Sequence, residues 1–517
     1  MKTFMQYKDR RAADLDHHPF VQWLDADNVD ITQKLMFAPI MTIFVMNFRD
    51  MNLWVLRFDE QPDEHFRSII NDNTKEDETH SRLFLEDWDK LELDAHLGWS
   101  ALDTLWWLFA SPQTECFRRF GVEFIRLNVD DRGDPMLRFC HSEAGEICGH
   151  VFFRHVVGPT ARLGEVTGQH YRYFGHYHLD RELGHVIGSE GEFETQVLEP
   201  DHRARGMALG ERMFDIFFEI FDAFDGYART HVEAGSVPRA PTTIDPLPRR
   251  PPQPLPEALL SRQPRPSSSI AARHLAKVLQ RRKQAVVTHP FYTWLREAQV
   301  PAVDKLRRFL PMWVMDILGY RDLNHYVMHY PEPTDDLQRA INAWAADLAT
   351  HSTLLFSDWR ALGMDEALGW GARQTLEFCF FDPSMDIHRR NIVKFIRLGL
   401  RHPDPTLRFW LMHALEASGE VFFIHTRELA LAAEAQGVGP LDYLGDRHNG
   451  AHTEPERDTL AAIRDHFWAQ PLSPEQTAAA ETMIHVVFDS LEEQLTLSLE
   501  AAQSSRLLRP PTDRPAD

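Results

Sequence analysis

One stretch of the chain, HYHLDRELGH at 176–185, carries two histidines and a carboxylate at the spacing of a helix face. His178, Glu182 and His185 are separated by four and three residues, so a helix would present all three side chains on one side. Neutral imidazoles and carboxylate oxygens are together ligands for divalent first-row metals. The alternative is a solvated or salt-bridged polar helix face, which needs no bound ion.

A third histidine follows two carboxylates at similar spacing. Glu76 and Asp77 precede His80 by four and three residues in KEDETHSRLFLEDW, so both carboxylates can face the side of a helix that His80 occupies. Apolar residues follow His80, which predicts that this side lies near the core. The neighbouring charges leave open the alternative of an exposed acidic helix face.

Glu146 lies in a third stretch, CHSEAGEICGHVFF, where small and aromatic residues predict burial. A buried carboxylate needs a partner, and an arginine would serve as an alternative to a metal. If the three stretches converge, up to three carboxylates and three imidazoles meet, as a carboxylate-bridged pair of metal ions in a helical bundle requires. Such ligands without thiolates favour iron or manganese over structural zinc.

The segments around these residues have the apolar spacing of helices. Bulky apolar residues recur at intervals of three and four in the segments 35–58, 64–91, 101–109, 116–127 and 207–224. RFCHSEAGEICGHVFFRHV is best interpreted as a small-residue helix packed closely on a neighbour, and the stretch from Tyr171 that carries His178 is also predicted to be helical. Strand-like alternation is scarce, so the sequence predicts an all-α protein.

The second half of the chain repeats the first. HPFVQWL at 18–24 returns as HPFYTWL at 289–295, an offset of 289 − 18 = 271 residues. Nearly the same offset relates further residues along both halves, namely His80 to His351, Asp87 and Trp88 to Asp358 and Trp359, and Glu146 to Glu416. So many matches in nearly one register predict an internal duplication, with about seven helices in each copy.

A proline-rich segment separates the two copies, with ten prolines between Pro238 and Pro266. Such a segment cannot build a core and is predicted to be an extended linker. The basic stretch at 271–287 after it is predicted to be helical. The predicted domains are 1–235 for the first copy, 236–284 for the linker, 285–505 for the second copy and 506–517 for a disordered tail.

The second copy keeps only part of the ligand set. Its matching residues are Asp347, His351, Glu416, His448 and His452. His452 takes the place of Glu182, Leu348 takes that of Asp77, and Pro455 falls where His185 would be, so we expect a proline to interrupt that helix. The second copy is therefore predicted to hold a degenerate site that suits one metal ion and not a pair.

Composition and charge narrow the class of protein. The 77 acidic and 55 basic side chains give 55 − 77 = −22, which disfavours binding to nucleic acid or to an anionic membrane. Four cysteines without a CxxC pair argue against a disulfide scaffold, a zinc ribbon or an iron–sulfur cluster. The N-terminus lacks the apolar region of a signal peptide, and the most apolar stretch, 35–48, is too short to span a bilayer. We predict a cytoplasmic protein.

The EDxxHxxxFLxDW block from Glu76 to Trp88, the helix around Glu146 and the HLDRELGH segment resemble the haem-oxygenase-like di-iron oxidases and oxygenases. The resemblance covers nearly all of both copies. It implies two tandem haem-oxygenase-like seven-helix bundle domains and a non-haem centre of two iron ions, or of manganese and iron, with O2 as co-substrate. The family includes N-oxygenases, oxidative lyases and fatty-acid decarboxylases, so the implied reaction is N-oxygenation or oxidative C–H or C–C chemistry on a small metabolite.

The resemblance also implies individual roles. The implied metal ligands are Glu76, Asp77, His80, Glu146, His178, Glu182 and His185. Glu146 and Glu182 would bridge or terminate the metals and shift with their oxidation state, while the histidines would fix them. Two departures stand out: Asn73 occupies a position where some members have a further glutamate, and no carboxylate lies deep in the first helix, where Asp50 is the nearest.

This chemistry needs an external electron donor, because nothing in the chain resembles a flavin or ferredoxin module. The second copy is expected to replace the second subunit of a homodimer as an intrachain pseudo-dimer, and further homodimerisation stays open. One rival is a non-catalytic binding or scaffold protein that keeps the fold and uses the acidic and histidine-rich helices as structural polar layers. A haem oxygenase proper is disfavoured, because carboxylates crowd the histidine that would be the single axial ligand.

Overall fold

The computed structural model describes residues 1–27, 29–242, 268–445 and 454–508, with the backbone alone for residues 76, 182–190 and 454–460. Within these ranges every regular element is a helix, which confirms the all-α prediction. The chain, as far as it is described, divides into two compact units, residues 1–240 with 371–376 and residues 241–370 with 377–517.

The described residues of the first unit form eleven α-helices up to Tyr227, against the seven expected. They are α1 (Lys2–Asp16), α2 (Pro19–Asp25), α3 (Ala38–Asp50), α4 (His65–Asp77), α5 (His80–Lys90), α6 (Leu93–Leu97), α7 (Ala101–Phe109), α8 (Glu115–Asp130), α9 (Pro135–Thr167), α10 (His176–Glu194) and α11 (Pro200–Tyr227). π-Helical turns continue α3 over Met51–Leu56 and α11 over Ala228–Glu233. The excess over seven includes short helices that carry too few residues to show an apolar period.

From residue 270 onward the described helices follow a similar order. They are α12 (Ile270–Val286), α13 (Pro290–Glu297), α14 (Ala302–Phe309), α15 (Val314–Asp322), α16 (Asp336–His351), α17 (Leu354–Ala361), α18 (Met364–Leu368), α19 (Ala372–Phe381), α20 (Pro383–Arg401), α21 (Pro405–Ala435), α22 (Glu454–Ala469) and α23 (Pro474–Ser504). A π-helical turn continues α15 over Leu323–Met328. No helix within the described ranges combines the length and the apolar run that crossing a bilayer would need.

The segment predicted as one helix over 64–91 is divided in two. α4 ends at Asp77 and α5 begins at His80, with a two-residue turn between them. Nη2 of Arg57 donates to the Glu78 carboxylate in this turn at 3.1 Å. A contact with a residue outside the segment therefore holds the turn, and apolar periodicity within the segment gives no sign of it.

The longest helix of the first unit, the 33-residue α9, carries Glu146. Its N-terminus is capped by Asp134, whose Oδ1 accepts hydrogen bonds from the backbone N–H groups of Met136 and Leu137 at 2.8 and 3.2 Å. Pro135 follows at the first helical position, where its missing N–H costs no hydrogen bond. These local signals fix the register of α9, which packs along α11.

Two glycines of α11 permit this close packing. A Cβ atom at Gly210 would lie 2.6 Å from Cε2 of Phe4, and a Cβ atom at Gly206 would lie 2.8 Å from Sγ of Cys140. Both distances are well inside van der Waals contact. The neighbouring side chains can therefore approach α11 only where it has no side chains of its own.

Replacing Gly210 with alanine is expected to destabilise the chain by about 1–3 kcal/mol, because the new methyl group must displace the buried ring of Phe4. Gly226→Ala on the same helix is the matched control, since nothing lies within 4 Å of its new Cβ atom. That change is expected to stabilise the chain by up to about 1 kcal/mol, because alanine favours the helix. Urea denaturation measures both variants, and equal effects would contradict this packing of α11.

Several contacts recur in both units at positions related by the sequence repeat. The indole Nε1 of Trp88 donates to Oδ1 of Asp94 at 2.7 Å, and that of Trp359 donates to Oδ1 of Asp365 at 2.8 Å. Each bond closes the connection between one helix and the short helix that follows it.

The π-helical turns that end at Leu56 and Met328 show a further recurrence. Nη1 of Arg138 donates to the Leu56 carbonyl at 2.6 Å, and Nη1 of Arg408 donates to the Met328 carbonyl at 3.1 Å. Both arginines lie in the first turn of a long helix. The arginine therefore satisfies a carbonyl group that a terminating helix leaves without an intrahelical partner.

The helix predicted at 271–287 is confirmed as α12, but it changes the predicted boundary of the linker. Residues 243–267 of the predicted linker lie outside the described chain. Leu275 of α12 is fully buried, and Nη2 of Arg282 donates to Asp489 of α23 at 2.6 Å. The second body therefore begins no later than Ile270 and not at 285, because the apolar side of this basic helix packs on the C-terminal helix.

The predicted disordered tail also begins later than expected. Residues 506–508 form a 3₁₀ turn in which Leu507 is buried. Nη2 of Arg506 donates to Oγ of Ser384 at 2.6 Å. The start of the tail at 506 is therefore wrong by at least three residues, and the rest of it, 509–517, lies outside the described chain.

Candidate metal centre

A small cavity of about 60 Å³ lies between α3, α5, α9, α10 and α11 of the first unit. His80, Glu146 and His178 all line it. These residues come from α5, α9 and α10, so the fold brings one predicted ligand from each of the three sequence stretches to the same cavity.

His178 is held in one orientation by the backbone. Its Nδ1 lies 2.9 Å from the carbonyl oxygen of Tyr173, and because a carbonyl can only accept, Nδ1 carries the proton. Nε2 therefore carries the lone pair, which is the state that binds a metal. Burial lowers the pKa of His178 to about 4, so the ring is neutral near pH 7.

Asp87 fixes the backbone that orients His178. Its two carboxylate oxygens accept hydrogen bonds from the backbone N–H groups of residues 172–174 at 2.8, 2.8 and 3.1 Å. The side chain is fully buried, and burial raises the pKa of the carboxyl group. Because these N–H groups bond to Asp87, α10 begins at His176 and not at Tyr171 as predicted.

The same arrangement occurs in the second unit. Asp358 accepts from the backbone N–H groups of Tyr443 and Leu444 at 2.9 and 2.8 Å, and burial raises its pKa to about 7. The sequence repeat pairs Asp87 with Asp358, so the signal for this role was present. The residues were matched by position, but nothing in the sequence showed that they hold a loop.

Asp77 and His80 lie close together although they belong to different helices. Oδ1 of Asp77 is 3.9 Å from Nε2 of His80, and both side chains are buried. This distance is too long for a hydrogen bond, but two atoms that each lie about 2.1 Å from one ion can be this far apart. Burial rules out the exposed acidic face for Asp77. The side chain of Glu76 lies outside the described residues.

The repeat register separates the two glutamates of α9 correctly. Glu143 is buried and its Oε1 accepts from Nζ of Lys8 at 2.7 Å, which gives this carboxylate a cationic partner. Glu146, the residue that the repeat pairs with Glu416, lines the cavity instead. The two side chains of one helix therefore serve different surroundings.

The two cavity histidines are in contact. The ring centroids of His80 and His178 are 4.1 Å apart with an interplanar angle of 61°. The ring of Phe153 packs on His178 at 4.0 Å from the other side. Both imidazoles are thus confined by packing, as ligands of a preformed site need to be.

The described side chains supply only part of a metal site. Within the described ranges, no group of three or more His, Cys, Asp or Glu side chains is close enough together to hold an ion. The predicted ligands Glu182 and His185 lie on the helical backbone of α10, but their side chains are outside the described residues. The donors that do line the cavity are imidazoles and a carboxylate without a thiolate, which fits iron or manganese.

The remaining walls of the cavity are apolar. They include Phe44 and Phe48 of α3, Phe152 of α9, and Phe217 and Phe221 of α11. The sequence showed that these segments are amphipathic helices but not which apolar residues would meet. Five aromatic rings exclude water from the histidines and leave room only for something small.

The second unit has a cavity at the matching position, and it is larger. Asp347, His351 and Glu416 line this cavity of about 320 Å³. Oδ2 of Asp347 lies 3.8 Å from Nε2 of His351, and Oε2 of Glu416 lies 3.8 Å from Nδ1 of His413. The three described residues of the predicted degenerate site are thus also brought to one cavity.

The remaining residues of the predicted degenerate site, His448 and His452, lie outside the described chain. Pro455 was expected to interrupt a helix, and this expectation is wrong. It is the second residue of α22, which spans Glu454–Ala469. A proline in the first turn of a helix removes no intrahelical hydrogen bond, so it is compatible with the start of α22.

His178 is expected to make the stability of the metal-free chain depend on pH. Its pKa is about 4 in the folded chain against 6.5 for an ordinary histidine, so between these values the unfolded chain binds the additional proton. Lowering the pH from 6.5 to 4 should therefore reduce the free energy of unfolding by up to about 3 kcal/mol through this residue.

Urea denaturation of the wild type and of His178→Asn at several pH values tests this expectation. The asparagine Nδ2 can still donate to the Tyr173 carbonyl, but the side chain does not titrate. The variant should lose this part of the pH dependence, whereas the exposed His96→Asn should keep it. Identical pH profiles for the wild type and His178→Asn would show that His178 is not held neutral by burial.

No protein-family model and no curated protein sequence matches the chain. The likeness to haem-oxygenase-like di-iron enzymes therefore rests on the residue patterns of the sequence. The geometry adds that one donor from each of these patterns reaches a common cavity.

Proposed function

We propose that the chain is a non-haem di-iron oxidase or oxygenase that activates O2 in its first unit and acts on a small metabolite. One observation carries the proposal: His80, Glu146 and His178, from three separate helices, line the same small cavity. The orientation of His178 supports it, because the proton on Nδ1 directs the Nε2 lone pair away from the Tyr173 carbonyl.

The residues proposed to hold the metals combine described and undescribed side chains. They are Glu76, Asp77, His80, Glu146, His178, Glu182 and His185. A pair of iron ions, or of manganese and iron, supplies the electrons that reduce O2, which no protein side chain can do. The substrate reaction in this proposal is N-oxygenation or oxidative attack on a C–H or C–C bond, with electrons from an external donor.

The chain's own residues contribute position, charge and exclusion of water. His178 is fixed through its Nδ1 proton, and His80 is packed against it at 4.1 Å between ring centroids. Glu146 brings a carboxylate into an otherwise apolar wall, where its charge is best compensated by a cation. The aromatic walls keep bulk water away from the site and leave space for a small apolar group.

We infer further that the chain is a tandem duplication of one haem-oxygenase-like fold. The recurring bonds of Trp88 and Trp359, and those of Asp87 and Asp358, support this inference. In this proposal the second copy has lost the carboxylate that Glu182 supplies in the first, since His452 replaces it.

The proposal is tested by loading the full chain with Fe(II) without oxygen, counting iron by mass spectrometry and then mixing the protein with O2 in a stopped-flow spectrometer. We expect about two irons per chain, rapid O2 consumption and a transient visible absorption band. Four irons per chain would show that the second unit also holds a pair. A folded chain that binds no iron and consumes no O2 would leave a binding or scaffold protein as the better assignment.

A further inference from the structure

The cavity of the second unit differs from that of the first in size and in the chemistry of its walls. Its volume is about 320 Å³ against about 60 Å³. The repeat register places Trp344 where the first copy has Asn73, and Glu420 where it has His150. The second cavity is therefore large enough for an organic molecule and has gained an aromatic ring and a carboxylate.

Three carboxylates line this cavity, those of Asp347, Glu416 and Glu420. None of the described residues that line it is a lysine or an arginine. Nζ of Lys283 forms an ion pair with Glu420, whose side chain is half exposed, so this carboxylate is compensated at the outer side. The side chains of Asp347 and Glu416 are 22% and 32% exposed, and each has only an imidazole nitrogen at 3.8 Å. The cavity is thus acidic.

Aromatic rings form much of the remaining wall. Tyr320, Trp344, Phe423 and Tyr443 all line the cavity. Burial raises the pKa of both tyrosines, so their phenol groups stay neutral and their rings keep the electron-rich face that attracts cations. An acidic cavity with such walls favours a positively charged ligand that also has an apolar part.

A bare metal ion does not suit this cavity as well. Its volume far exceeds that of an ion, and in the described residues Asp347, His351 and Glu416 do not come close enough to form a coordinating group. An organic cation fills the volume, contacts the rings and places its charge near the two carboxylates.

We propose that the second unit binds a small organic ammonium ion, with the charged nitrogen near Asp347 and Glu416 and the apolar body against Trp344 and the other rings. This binding site does not depend on the metal centre proposed for the first unit. It assigns to the second copy a ligand-binding role in place of the metal-pair chemistry.

Benzylamine serves as the probe and benzyl alcohol as its uncharged counterpart of similar size. Isothermal titration of the metal-free full chain at neutral pH should show one benzylamine site and binding of benzyl alcohol that is weaker by at least about tenfold. Asp347→Asn and Glu416→Gln, measured separately, should each weaken benzylamine binding by about tenfold, because each removes one negative charge from the cavity. Circular dichroism shows whether each variant is folded.

Glu146→Gln is the matched control, since it makes the same chemical change in the first unit. It should leave benzylamine binding unchanged. Equal binding of benzylamine and benzyl alcohol would overturn the proposal, as would wild-type affinity in both second-unit variants. Loss of binding in Glu146→Gln alone would place the amine in the first unit and would overturn it too.

Discussion

Replacing Asp87 with alanine is expected to lower the free energy of unfolding by about 3 kcal/mol or more. The buried carboxylate accepts from three backbone N–H groups in residues 172–174. Each N–H left without an acceptor costs about 1–3 kcal/mol, and removal of a carboxylate that is costly to bury offsets part of this. Urea denaturation near pH 7 measures the change.

Two further variants show whether the effect comes from the buried acceptor. Asp72→Ala removes an exposed carboxylate that only pairs with Lys75 at 2.8 Å, and it should change the stability by less than about 0.5 kcal/mol. Asp358→Ala should destabilise the chain much as Asp87→Ala does, since Asp358 holds the matching loop of the second unit. Equal small effects for Asp87→Ala and Asp72→Ala would contradict the role of Asp87.

The second large effect is expected from Glu146. In the proposed metal centre, Glu146→Ala removes a carboxylate that faces the cavity and should reduce bound iron from about two ions per chain to fewer than one. The loss should exceed that from a surface carboxylate, because each ligand of a metal pair contributes to holding both ions. Iron content after anaerobic loading, measured on folded protein, reports this directly.

Glu416→Ala is the matched control for this prediction, because the repeat pairs the two residues and the second unit is expected to hold no metal pair. It should leave the iron content near the wild-type value. If Glu416→Ala lost as much iron as Glu146→Ala, or if neither variant lost any, the metal pair would not lie where we propose.

Much of the helical framework follows from the sequence. Periodic apolar residues predicted the segment 101–109 at its observed bounds, and the caps around Asp134 and Pro135 fix the start of α9. The repeat also identified Glu146 and not Glu143 as the residue with a counterpart in the second copy. The structure places only Glu146 at the cavity.

Other features arise from tertiary contacts that leave no periodic trace. The turn between Asp77 and His80 is held by Arg57, and the start of α10 is set by Asp87, nearly ninety residues earlier in the chain. Apolar spacing within one segment cannot reveal either contact. The orientation of His178 depends on the second of them, so the state of this imidazole became clear only from the structure.

Cavity size was also beyond the sequence. The second copy, judged by its ligand set alone, was expected to be a weakened version of the first. It has the larger cavity, because packing around Asp347 and Glu416 leaves space that the aromatic rings of α3 and α11 fill in the first unit. Loss of a ligand set is therefore compatible with gain of a different binding site.

The central claim is that two metal ions lie side by side in the first unit. A low-temperature Mössbauer spectrum of the iron-loaded chain after exposure to air tests it most directly, with electron paramagnetic resonance on the same sample. The account predicts ferric ions coupled in pairs, which give a diamagnetic Mössbauer spectrum and no resonance of isolated ferric iron. Bound iron that shows only the resonance of isolated ferric ions, or a folded chain that retains no iron, would contradict the account.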